Sequence, residues 1–189
     1  MGLLDKVFGR TPTVRPQLDQ FFAVPDAALT LESSLGLRPT GMGSVSFRAV
    51  EGAASTTVTD DVQALLDADD GPAVERSVDS FGFTWLLVRH DADDLPGLVT
   101  DLHAINGTLQ DNGFGSSLLC SLVSFAGDDG RKLALVYLYK RGTFYPFAPL
   151  GDQKRDNALE LQVRSALGDD LKIEPDLSRW FPVWGAPGL

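Results

Sequence analysis

Apolar side chains recur along this chain with two different periods. Between residues 94 and 111, Leu95, Leu98, Val99, Leu102, Ile105 and Leu109 fall three or four positions apart, which is one stripe of a helix. Asp93 or Asp94 stands where a cap belongs, Pro96 suits the first turn, and Gly113 supplies the stop. The pattern returns over 153–167, with Leu159, Val163, Ala166 and Leu167 inward and Gly168 as the stop. Two shorter helices are expected. One covers 16–24, with Leu18, Phe21 and Phe22 inward and Pro25 ending or kinking it. The other covers TDDVQALLDADDG (59–71), capped by Thr59 or Asp60. Residues 26–35 fit either a helix or a short strand, and Gly36, Pro39, Gly41 and Gly43 predict a loop.

Elsewhere the residues are β-branched, aromatic or alternating. SVSFRAV (44–50), VERSV (74–78) and FTWLLVRH (83–90) predict strands, the last two paired through a turn at Asp79 and Ser80. LLCSLVSF (118–125) and KLALVYLY (132–139) flank GDDG, a hairpin signal centred on Asp129-Gly130. Both runs are apolar on both faces, which predicts central, covered strands. TFYPFAPL (143–150) is expected at a sheet edge, because Pro146 removes a ladder donor. Tight hairpins imply a mostly antiparallel sheet with packed helices. The expected fold is thus α+β and single-domain, in the order helix, strand, helix, hairpin, long helix, meander, helix. An amphipathic leader and tether (1–15) precede the globular domain (16–178), and an aromatic, proline-containing tail (179–189) closes it.

Composition narrows the function classes. The chain has 189 residues and a net charge of −10, which disfavours a nucleic-acid partner. The charge is uneven, since residues 1–15 carry Lys6, Arg10 and Arg15 against Asp5 alone. One cysteine, Cys120, excludes an intrachain disulfide and fits a reducing compartment. No run of about 20 apolar residues offers a membrane span. The N-terminus has no apolar core of secretory length, so a cytoplasmic location is expected.

Chemistry-bearing groups are few. Cys120 with His90 or His103 is the one thiol–base combination, but Cys120 alternates with Leu118 and Leu122 as a packed residue would. Two histidines and one cysteine form no ligand cluster, and no metal or cofactor is expected. The carboxylate pairs Asp60/Asp61, Asp69/Asp70, Asp93/Asp94 and Asp169/Asp170 fall at helix ends and turns, where capping is the ordinary role. GMGS (41–44) and NGFGSS (112–117) could offer backbone N–H groups to an anion, but neither matches a dinucleotide or P-loop pattern. No catalytic motif is found, and a non-enzymatic protein is expected.

Two segments suit contact with a partner. Leu3, Leu4, Val7 and Phe8 share one side of a short leader helix, suited to a reversible membrane or groove contact. Gly2 opens a myristoylation pattern, but Lys6 stands where Ser or Thr is required. In the tail, Arg179, Trp180, Phe181 and Trp184 are of types enriched at binding hot spots. The same aromatics would equally seal a core.

The strings MGLLDKVFGR, TGMGSVSFRAVEG, SFGFTWLLVR, LLCSLVSF, LALVYLYKRGTFYPFAPL, RDNALELQVRSALGDDL and EPDLSRWFPVWGAPGL together resemble the PspA-associated protein family PspAB. The resemblance covers nearly the whole chain. It implies an adaptor role beside PspA, a membrane-remodelling coiled-coil protein of bacterial envelope-stress (phage-shock) responses, with peripheral contact at the inner membrane face. It carries no catalytic residues. Two alternatives stay open: a small-molecule or nucleotide-binding domain using the glycine-rich loops, and a client-binding protein similar in element order to type III secretion chaperones.

Overall fold

The computed structural model describes residues 17–49, 60, 63, 64, 67, 68 and 73–189. The leader residues Leu3, Leu4, Val7 and Phe8 lie outside the described residues, as does most of the helix expected over 59–71. Asp60, Gln63 and Ala64 of that helix are described, and all three are helical.

The scaffold is one open, antiparallel sheet. Its strands are β1 (Leu37–Phe47), β2 (Glu75–Val78), β3 (Thr84–Arg89), β4 (Leu118–Gly127), β5 (Lys132–Leu138) and β6 (Thr143–Phe147). They lie in the order β2-β3-β1-β4-β5-β6, every neighbouring pair antiparallel. Two short strands, β7 (Pro149–Leu150) and β8 (Lys154–Arg155), pair separately. Three helices complete the described fold: α1 (Val24–Leu35), α2 (Leu95–Leu109) and α3 (Asn157–Ala166). The expected α+β class with a mostly antiparallel sheet is what the chain adopts.

Local chemistry accounts for these elements. Asp94 accepts a hydrogen bond from the Gly97 N–H at 3.1 Å and caps α2. Asp156 caps α3 through the Leu159 N–H at 2.9 Å. The β4–β5 hairpin closes with the Gly127 N–H donating to the Arg131 carbonyl, and Gly130 takes a φ of 84° there. Pro146 does fall on the edge strand, β6. That edge is strapped by the following chain. The Phe144 N–H donates to the Lys172 carbonyl, and the Glu174 N–H donates to the Phe144 carbonyl.

Four expectations need correction. Pro25 starts α1 instead of ending a helix, because a first-turn residue needs no N–H donor. Residues Leu18–Ala23 form a 3-10 turn that buries Leu18 and Phe21, while Phe22 turns outward against the His103 ring. The expected loop at Gly36–Gly43 is largely strand: Gly36 caps α1 with a φ of 65°, and β1 then runs through a bulge between Pro39 and Gly43. The last helix starts at Asn157 and not at 153, because Asp152 and Gln153 take positive φ in the turn between β7 and β8.

Each sheet face has its own core. Val45, Phe47, Leu86, Val88, Val123, Phe125, Leu133, Leu135 and Tyr137 point to the face covered by helices. There they meet Val24, Ala27 and Leu31 of α1, the full α2 stripe, and Leu159 and Val163 of α3. Burial of each such side chain contributes about 1.5–3 kcal/mol. On the other face, Trp85, Cys120, Leu122, Ala134, Val136, Tyr145 and Phe147 pack beneath Trp180 and Ala186 of the C-terminal segment.

Candidate functional site

The C-terminal segment is the cover of that second face, and polar clamps hold it. Glu174 is fully buried and accepts hydrogen bonds from the Arg141 guanidinium, the Thr143 hydroxyl at 2.7 Å and the Asp176 N–H at 3.2 Å. Burial alone would raise its carboxyl pKa. The Arg141 and Thr143 hydrogen bonds more than offset this and hold it below the usual range. Asp176 then caps a short 3-10 turn, Leu177–Arg179, accepting from both the hydroxyl and the N–H of Ser178.

That turn delivers Trp180 to the sheet. Its ring stacks on Tyr145 at 6.2 Å, and its indole N–H donates to the Glu174 carbonyl at 3.0 Å. The Trp180 carbonyl accepts from the Arg155 guanidinium, which also pairs with the buried Glu160 at 2.9 Å and lies over the Phe147 ring. The Tyr145 hydroxyl donates to the Phe181 carbonyl at 2.8 Å. Trp184 meets Phe147 edge-on at 4.8 Å. Gly188 sits so close to Leu87 and Met42 that a Cβ would lie about 3 Å from either.

The four tail residues singled out in the sequence therefore divide. Trp180 is buried and Trp184 half-buried, both sealing the second core. Arg179 and Phe181 are exposed, Phe181 to 59%. Near them Leu161 and Leu177 are about half exposed and flank a cleft of about 270 Å³, with Arg155, Asn157, Glu160 and Trp180 in its walls. The clamp residues Glu174, Arg141, Arg155, Glu160 and Tyr145 were not singled out by the sequence. A carboxylate and a guanidinium beside apolar runs look like any surface charge until the fold brings their partners to them.

The remaining candidates resolve into structural roles. Cys120 is buried in the second core, and burial pushes its thiol up to about 12, far from the thiolate a nucleophile needs. α2, which carries His103, covers the opposite face. His90 is bridged by Asp94 at 2.8 Å and Asp101 at 2.7 Å. Burial alone would lower the His90 pKa, but the two carboxylates reverse that and raise it. Asp60 pairs with Arg76, and Asp170 accepts from the Thr30 hydroxyl. Gly41 and Gly43 answer to packing: a Cβ on Gly41 would sit 2.2 Å from the His90 carbonyl, and one on Gly43 would sit 2.8 Å from Leu102 of α2. Among the described residues no cluster of three His, Cys, Asp or Glu side chains could hold a metal. No helix among them is long and apolar enough to cross a membrane.

Fold and site together define an α+β protein whose six-stranded antiparallel sheet is roofed by helices on one side and by its own C-terminal segment on the other. The chain belongs to the PspAB family: the sequence model for PspA associated protein B matches residues 1–188, essentially its full length. No curated protein and no solved structure matches it.

Proposed function

We propose that the protein is a non-enzymatic partner of a PspA-type coiled-coil protein in the envelope-stress response, working by protein–protein contact at the cytoplasmic face of the membrane. The family name supports the partner. The observation that carries the contact is the ordered C-terminal segment: Trp180 anchors it in the core, while Phe181, Leu177 and Leu161 are exposed beside Arg179. Apolar anchors on a rigid support suit docking of an amphipathic helix, since little is lost in ordering them on binding. The leader, with Leu3, Leu4, Val7 and Phe8, is the proposed second contact, to PspA or to lipid.

Both faces of the sheet are covered, which lends no support to the client-binding alternative. The test is co-elution with purified PspA of the full chain, of a chain lacking residues 1–15, and of the Arg179→Ala/Phe181→Ala variant. Association of the full chain, weakened about tenfold or more in the tail variant, is expected. If the full chain does not associate, the partner reading fails. If the tail variant binds as the full chain does, the tail is not the contact.

A further inference from the structure

A second cleft, on residues separate from the proposed PspA contact, lies where four strands end together. Arg48 follows β1, Phe81 and Phe83 precede β3, Ser117 and Leu119 flank the first residue of β4, and Lys140 follows β5. The space between them is about 680 Å³, within the range of small-ligand sites. Ser116 and Ser117, the end of the glycine-rich run NGFGSS, line one side. The backbone Arg48 N–H donates to the Ser117 carbonyl at 3.0 Å, so the run is fixed against the end of β1 from which the Arg48 side chain departs.

Of the described cations that pair with no described carboxylate (Arg48, Lys132, Lys140, Lys154, Arg164 and Lys172), Arg48 and Lys140 come together in this cleft. Seven arginines (Arg38, Arg76, Arg89, Arg131, Arg141, Arg155 and Arg179) are neutralised by carboxylates within 4.0 Å. Arg48 instead lies over the Phe83 ring, 4.8 Å from its centroid. Neither Arg48 nor Lys140 pairs with a carboxylate among the described residues, and no carboxylate is among the described residues lining the cleft. Two cations thus converge on one recess of a protein whose net charge is −10.

The aromatic wall is held in advance. One Asp79 carboxylate oxygen accepts from the Phe81 and Phe83 N–H groups, each at 2.9 Å, and the other accepts from the Trp85 indole at 2.9 Å. The acid is thereby occupied in shaping the turn. Phe81 is 73% exposed, an expense of apolar surface that a flat ligand would cover.

We infer that this cleft binds a phosphate group, with Arg48 and Lys140 as its counter-charges, Ser116 and Ser117 as hydroxyl donors, and Phe81 and Phe83 stacking any flat ring attached to it. Guanidinium and ammonium groups beside hydroxyls are the ordinary recognition chemistry for phosphate. The shared chemistry has two sources, a soluble phosphoester and a phospholipid headgroup.

The full chain is titrated with inorganic phosphate and with a nucleoside monophosphate, read by thermal shift and calorimetry, and sedimented with phosphatidylglycerol or phosphatidylcholine vesicles. Binding of at least one phosphate probe is expected, weakened about tenfold or more by Arg48→Gln and by Lys140→Gln. Arg164→Gln, on α3, should leave it unchanged. A nucleoside monophosphate that binds more tightly than inorganic phosphate, with the gain lost in Phe83→Leu, identifies a soluble ligand. Sedimentation with phosphatidylglycerol alone, lost in Arg48→Gln, identifies a headgroup. If no probe binds, or if Arg48→Gln/Lys140→Gln binds as the unaltered chain does, the inference is overturned. Neither outcome depends on whether PspA associates.

Discussion

The helix-covered and tail-covered faces of the sheet are built by different physics. On the first, aliphatic stripes from α1, α2 and α3 meet aliphatic and aromatic strand residues, and burial of apolar surface holds the layers together. On the second, the cover is a peptide of a dozen residues with one 3-10 turn and no other regular structure. Such a peptide brings little backbone cooperativity of its own. Besides the packing of Trp180 and Trp184, it is held by buried polar anchors: Glu174, the Arg155–Glu160 pair and the Tyr145 hydroxyl. Apolar packing tolerates exchange of one hydrophobe for another, whereas a polar clamp fails when a single partner is lost. The second cover is therefore the one that a single substitution can release.

Four measurements bear on this contrast. Removing residues 179–189 should have the largest effect, since loss of a buried tryptophan alone costs about 3–5 kcal/mol. The truncated chain should unfold at lower urea and expose Cys120 to a thiol reagent that does not reach it in the full chain. A Cys120 that stays protected would mean that something else covers it. Leu102→Ala on α2 should cost about 2–5 kcal/mol while leaving Cys120 protected in the folded state, because the cavity forms on the opposite face.

Glu174→Gln should follow at about 1–3 kcal/mol, moderated because Arg141 is partly exposed. It also carries a pH signature. A carboxyl held below its ordinary value of 4.5 contributes stability above that value, and this is lost as pH falls through the folded-state pKa. Urea midpoints in acid should therefore fall less steeply for Glu174→Gln than for the unaltered chain. The smallest effect is expected for His90→Asn, on the helix side. A histidine held above its ordinary 6.5 contributes stability that is complete below that pH and is lost as pH rises through the folded value. Thermal midpoints compared at about pH 6 and about pH 8.5 should diverge in the unaltered chain and converge in His90→Asn. A flat profile in both would remove the His90 bridge from the account.

The helix-covered face was far more legible in the sequence than its opposite. The α2 stripe, the Asp94 cap and the Asp129-Gly130 hairpin follow from spacing and turn chemistry that act within a few residues. Pro25 and the glycines of β1 misled, because their effect depends on what lies next to them. Pro25 is harmless at a helix start, and Gly43 is needed only because Leu102 presses on that strand. The polar clamps were invisible for the same reason. Thr143 and Glu174 are 31 positions apart, and Arg155 and Trp180 are 25 apart. The tail's composition marked it as a segment with a use, but did not say which of its aromatics would be spent on the core. Trp180 was, and Phe181 was not.

The placement of the tryptophans has a practical corollary. All three in the chain, Trp85, Trp180 and Trp184, belong to the second core, and the helix-covered core contains none. Tryptophan fluorescence, excited selectively, is consequently a one-sided optical probe. It reads the seating of the C-terminal segment on the sheet, while far-ultraviolet circular dichroism reads chiefly the helices on the other side. Recorded together on one sample, the two signals distinguish lifting of the tail from global unfolding, with no added label.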